Sequence, residues 1–131
     1  MSLNKIEFLE EIKSELVNQK IGEIELFSSK KKTQFPLVVI NYGVIRQENS
    51  TIDSSRKIKY IVTPIVIEIY TKEIKTCYEI EQKIIDCIQN SKKLKNLQLE
   101  NSMQIPNLDK SIYRWRISYN ATINYENNGI I

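Results

Sequence analysis

The sequence contains no histidine, only three glycines and three prolines, two cysteines and a single tryptophan. Each scarcity excludes a class of protein. Without histidine the chain lacks both the commonest general base and the commonest metal ligand. A zinc site would have to be built from two cysteines and carboxylates. Gly22, Gly43 and Gly129 stand far apart, so there is no P-loop and no G-x-G-x-x-G cradle for a phosphate. No apolar run approaches the ~18 residues that a membrane-spanning helix needs. Residues 1–20 carry Glu7, Glu10, Glu11 and Glu15 with no continuous apolar core, a pattern that predicts no secretory leader. Cys77 and Cys87 fall within one predicted helix, about 15 Å apart at ~1.5 Å per residue. A disulfide needs Cα atoms closer than ~7 Å, so these two are not partners. A reducing compartment fits, and richness in Ile, Asn and Lys is associated with AT-rich bacterial genomes.

The chain has 131 residues, the size of one domain, 1–131. A chain of this length buries roughly two-thirds of its unfolded surface and needs no metal or disulfide to hold it. The net charge of +3 is small and spread along the chain, whereas nucleic-acid binders concentrate basic charge.

Periodicity predicts the elements. Residues 4–21 read as a helix capped by Asn4 with Glu7 as the reciprocal capping residue, and Ile6, Leu9, Ile12 or Lys13, Leu16 and Val17 form its stripe. Gly22 ends it. Residues 23–28 read as a short strand. Residues 35–42 (FPLVVINY) are apolar on both faces, as in an interior strand. Residues 48–55 (ENSTIDSS) suit a hairpin tip. Residues 57–71 form a long strand whose apolar phase slips at Thr63-Pro64, predicting a bend, bulge or edge there. Thr76 to Glu79 has the form of a capping box opening a second helix, with Cys77, Ile80 or Glu81, Ile84, Ile85 and Ile88 on its buried side. Residues 94–106 look irregular, with a short strand at 97–99. From Tyr113 to Tyr125 every odd position is apolar or aromatic, so this strand has one buried and one wet face. The expected fold is α+β: an antiparallel, mostly four-stranded sheet with a long β-hairpin and two helices on one face, in the order α-β-β-β-α-β.

Little here carries chemistry. Asp53 with Glu73-Ile74-Lys75 loosely matches the D…ExK pattern of metal-dependent nucleases, but that pattern needs its ExK on a strand, and a solvated loop explains these residues as well. Lys30, Lys31 and Lys32 suit phosphate contact, with Arg114 and Arg116 adding charge, or simply a solvated turn. The strand's aromatics fall on the opposite parity from the arginines, which disfavours a base-stacking platform. No catalytic residue, cofactor or metal is expected. The hairpin from Val44 to Ile65 reads either as a loop or as an arm that reaches a neighbouring subunit.

The opening helix (NKIEFLEEIKSEL), the strand FPLVVINY, the hairpin ending in KYIVTPIVIEIYTK, the helix CYEIEQKIIDCIQ and the closing strand YRWRISYNATINY together resemble the bacteriophage tail terminator or tail-completion family. The same fold occurs in head–tail joining proteins. The likeness is one of whole-chain pattern, strongest from Ile58 to Asn90, without an invariant motif. It implies a non-enzymatic structural protein of a phage, prophage or phage-tail-like bacteriocin. Such proteins form a ring, commonly a hexamer, that caps the tail tube, ends its polymerisation and offers a docking surface to head or collar. The implied partners are copies of itself, the tail tube, and sheath, collar or head-joining proteins. Neither membrane nor nucleic acid is implied, apart from DNA passing through the lumen. The implied location is the bacterial cytoplasm during assembly and then the particle. The expected subunit contacts are Asn49, Ser50, Thr51, Ile52 and Asp53 at the hairpin tip and Thr63, Ile65, Ile67 and Ile69 on the strand. Lys30, Lys31, Lys32, Arg114 and Arg116 are placed at the lumen or tube end. Alternatives are a head–tail connector of the same fold and a sheet-based nucleic-acid-binding module.

Overall fold

A computed structural model describes residues 5–27, 34–43, 46–47, 60–124 and 129–130. The chain begins with helix α1 (Lys5–Val17), whose Phe8, Leu9, Ile12 and Leu16 are buried. The helix stops four residues before the predicted end. Gln19 N–H donates to the Leu16 carbonyl and Lys20 N–H to that of Val17, bonds that tighten the last turn. Lys20 then takes φ 56° and Gly22 φ 114°. Gly22 is required there, because an added Cβ would lie 2.5 Å from the Pro36 carbonyl oxygen.

Strands β1 (Glu23–Leu26), β2 (Leu37–Tyr42), β3 (Arg46–Gln47) and β4 (Tyr60–Thr71) follow, then helix α2 (Ile74–Asn90), β5 (Gln98–Ile105), β6 (Tyr113–Asn124) and β7 (Gly129–Ile130). Five strands lie side by side in the order β1-β2-β4-β6-β5, while the two-residue strands β3 and β7 pair with β4 and β6. The fold is α+β, but the sheet is mixed and five strands wide instead of antiparallel and four wide. β1 runs parallel to β2, Glu23 opposite Leu37 through Leu26 opposite Ile40. A parallel neighbour needs a connection long enough to return to the starting end, and residues 27–36 supply it.

β4 is the central strand. Its register with β6 runs without a shift from Tyr60↔Asn124 to Thr71↔Tyr113, so the slip expected at Thr63-Pro64 is absent from β4 and its outer half stays in the sheet. The irregularity lies in the partner. Pairing moves from Tyr42↔Ile65 to Arg46↔Val62, which sets three residues of the β2–β3 ribbon opposite two of β4. Gly43 N–H donates to the Pro64 carbonyl at 2.8 Å. In an antiparallel ladder a residue's N–H and C=O point the same way, so the donor that Pro64 lacks would have faced this irregular stretch and not β6.

α2 starts before the predicted capping box. Its N-cap is Glu73, which makes no side-chain cap bond. The Glu73 carbonyl instead accepts the Cys77 N–H at 3.3 Å and the Thr71 hydroxyl at 2.6 Å. Thr76 and Glu79 therefore lie inside the helix.

Both helices pack on the same face of the sheet. Leu9, Ile12, Leu16, Ile80, Ile84 and Ile88 meet Val38, Ile40, Ile65, Ile67, Ile69, Trp115, Ile117, Tyr119 and Ala121 in one cluster. Each Ile buried there contributes roughly 1.5–3 kcal/mol. α1 lies over β1 and β2, and α2 over β4 and β6. On the other face a small cluster of Leu37, Val39 and Tyr70 is packed by Phe35 and Ile112. No helix of the described residues is long and apolar enough to cross a membrane.

Candidate assembly surface

Among the described residues β5 is an edge of the sheet and pairs with β6 alone. All eight of its residues are exposed or half-buried. Its composition, QLENSMQI, holds one charge and neither lysine nor proline, the residues that commonly guard an edge. A register irregularity between Leu99 and Asn101 interrupts it, and from Asn101 to Ile105 the strand is regular. Leu99 is 48% and Met103 47% exposed, and Leu108 in the following turn is fully exposed. That turn is held by Asp109, whose carboxylate accepts the Ser111 N–H at 2.9 Å and hydroxyl at 2.6 Å. These bonds lower the Asp109 pKa.

Beside this edge, on the face away from the helices, stands a charged group built by β4 and β6. Register sets Glu68 opposite Arg116 and Tyr70 opposite Arg114. Arg114 Nε donates to Glu68 Oε2, and the Tyr70 hydroxyl donates to the same oxygen at 3.3 Å. Arg116 Nη2 lies 3.8 Å from Glu68 Oε1. Burial pushes the Glu68 carboxyl upward, but the Arg114 hydrogen bond and charge, with Arg116 and Tyr70, outweigh it and leave the carboxyl below its ordinary value. Two guanidiniums share one carboxylate, so this part of the face is net positive. Met103 pairs with Arg116 and Ile105 with Arg114 across the β5–β6 ladder, which places apolar side chains next to the cations.

The predicted contact residues divide. Asn49, Ser50, Thr51, Ile52 and Asp53 lie outside the described residues, as do Lys30, Lys31 and Lys32. Thr63, Ile65, Ile67 and Ile69 are buried beneath the helices. Their side chains serve the chain's own core, because their parity on β4 points them inward. The opposite face of that strand carries Val62, Pro64, Val66, Glu68 and Tyr70. Arg114 and Arg116 are brought together on the open face. Tyr70 shares that face but is buried, so it offers no ring for base stacking. The sequence reading placed only a short strand at 97–99 where β5 runs from Gln98 to Ile105, because an exposed edge strand has little hydrophobic alternation. The available signal was Leu97, Leu99, Met103 and Ile105 at odd positions. The irregularity after Leu99 puts Leu99 opposite Tyr119 and Met103 opposite Arg116, on opposite faces.

Little else converges. Among the described residues no group of three or more His, Cys, Asp or Glu side chains could hold a metal ion. Glu73 and Lys75 are exposed at the start of α2. A recess of about 230 Å³ is lined by Phe35, Pro36, Thr71, Lys72, Glu73 and Thr76, smaller than the ~300–1,000 Å³ of ordinary ligand pockets. Behind β5, the Trp115 Nε1–H donates to Ser102 Oγ at 2.7 Å, and that hydroxyl donates to the Glu81 carboxylate. Tyr78 packs against the indole with ring centroids 4.9 Å apart. This network ties α2, β5 and β6 together. No protein-family model matches the chain, and no curated protein matches it. What the described residues define is a small α+β domain with helices on one sheet face and an exposed edge strand beside a cationic patch on the other.

Proposed function

We propose that this chain is a structural subunit that assembles with copies of itself into a ring of the phage-tail terminator type. The ring caps a tail tube and ends its growth, and it forms in the bacterial cytoplasm before becoming part of the particle. The observation that carries this reading is β5, an eight-residue edge strand with exposed Leu99 and Met103, followed by the fully exposed Leu108. An open main-chain edge with apolar side chains is a liability in an isolated molecule and a resource in an assembly. A closed head-to-tail ring satisfies every sticky patch with a neighbour's complement, so growth stops without turnover, cofactor or nucleotide.

The test is solution mass by light scattering over a concentration series, with negative-stain images of large species, alone and with purified tail tubes. The expected result is a hexamer-sized ring in solution or on tube ends. Met103→Lys places a charge at the exposed edge and should reduce assembly while leaving the monomer folded. A chain that stays monomeric under all these conditions would overturn the reading.

A further inference from the structure

Arg116 and Glu10 lie on opposite sides of the domain, the first in a net-positive group with Glu68 and Arg114, the second without an ion pair among the described residues. Arg116 stands in the net-positive group of the bare sheet face, its side chain 37% exposed. Arg116 Nη2 pairs with Glu68 Oε1 at 3.8 Å, an ion pair too long for a hydrogen bond, so the exposed part of the guanidinium can still donate to a second carboxylate. Exposed Met103 lies beside it. On the other side, the outward surface of α1 carries Glu7, Glu10, Ser14 and Val17 at helical spacing, all exposed. Glu11 on the same stripe is paired with Lys93 at 3.3 Å. Glu10 has no ion pair among the described residues. Val17, 53% exposed, adds an apolar end to this acidic stripe.

We propose that the cationic patch around Arg116 on one subunit receives the acidic outer stripe of α1, centred on Glu10, from the next subunit. The inference rests on the self-assembly reading above and names its interface. The two patches match in kind, an arginine beside an exposed methionine against a glutamate followed by an exposed valine. Arginine and methionine are also residues enriched at protein interfaces. Glu10 and Val17 lie about 10 Å apart along the helix at ~1.5 Å per residue. Arg114 to Ser118 on β6 spans about 13 Å at ~3.3 Å per residue, so the stripe and the patch are of similar length.

The placement also fits a ring. The donor stripe belongs to the helix layer and the acceptor patch to the bare sheet face, so the contact is head-to-tail. Patches directly back to back would stack subunits into a rod. α1 lies mainly over β1, however, with lesser contact to β2 and to β7 at the far end of β6, whereas Arg116 stands in the first half of β6 toward the opposite edge. Each docking step is therefore displaced across the sheet, an offset that permits closure.

The experiment uses the full chain in three variants, Arg116→Glu, Glu10→Lys and the double reversal, with circular dichroism and melting to verify folding. Each single reversal sets like charges against each other and should weaken association about tenfold or more. The double reversal restores opposite charges at every junction and should recover rings, as should an equimolar mixture of the two single variants. Glu10→Lys tests the contact without touching the Glu68 group. Wild-type assembly that neither single reversal weakens, or folded double-reversal protein that stays dissociated, overturns this interface and leaves the ring reading standing. A wild-type chain that never self-associates overturns both.

Discussion

The indole N–H of Trp115 on β6 donates to the Ser102 hydroxyl of β5 at 2.7 Å, and the same hydroxyl donates to Glu81 of α2. One small side chain thus links the edge strand to the core, which anchors the strand proposed to meet a neighbour. Ser102→Ala leaves the indole donor unpaired and removes a donor from a carboxylate that is only 8% exposed. Leaving a buried donor unsatisfied costs about 1–3 kcal/mol, with more for a charged acceptor. Urea unfolding should show a loss in that range. Because the chain has one tryptophan, its fluorescence reports the change directly, and an unchanged spectrum and midpoint would show that the network is not formed in solution.

Gly43 is the second place where a single atom matters. A Cβ there would lie 2.8 Å from Pro64 Cβ and 3.3 Å from its Cγ. Gly43→Ala must push the β2–β3 ribbon away from the central strand and strain the hydrogen bond to the Pro64 carbonyl. The expected cost is roughly 1–3 kcal/mol, the usual range for overpacking. Gly22→Ala meets both a positive φ and the Pro36 carbonyl, so it should be at least as damaging. Thermal melts of the two variants against wild type would check both.

Where burial repeats with a clear period, the sequence reveals the fold. Trp115, Ile117, Tyr119 and Ala121 announce β6, and Leu9, Ile12 and Leu16 announce α1. The parallel pairing of β1 was hidden because strand direction depends on where the connecting residues return, which leaves no local pattern. The irregularity near Pro64 was visible but assigned to the wrong strand, since the proline sits opposite the extra residue that Gly43 begins. The candidate surface was legible only in part. Arg114 and Arg116 could be placed on the wet face, but their meeting with Glu68 depends on the β4–β6 register, and β5 carried too few buried residues to betray its full length.

Glu68 predicts an acid dependence. Its carboxyl is held below the ordinary 4.5 by Arg114, Arg116 and Tyr70 acting against burial. A carboxyl with a lowered folded-state pKa stabilises the fold above its unfolded value, and that contribution is lost as pH falls through the folded value. Wild type should therefore be more stable than Glu68→Gln at neutral pH, with the gap closing once pH drops below 4.5. Denaturant titrations of both proteins across that range would measure it. A gap independent of pH would mean that Glu68 acts by shape alone.

Tyr119 sets the alkaline limit. Its side chain is 3% exposed in the core beneath the helices. Burial, followed by the charges of Cys87 and Glu81, raises its phenol from 10.0 to about 12. A raised folded-state pKa favours the neutral phenol, so the stabilisation is complete below 10.0 and disappears as pH rises toward about 12. Tyr119→Phe removes the ionisable group and keeps the ring. Compared with wild type, it should lose less stability between those two pH values, while the two proteins respond alike near neutrality. Ultraviolet phenolate titration should show a phenol lost from that window in folded wild type, relative to the unfolded chain, that is not lost in folded Tyr119→Phe. A Tyr119 ionisation midpoint near pH 10.0 with the fold intact would place Tyr119 in contact with water, contrary to its position in the core.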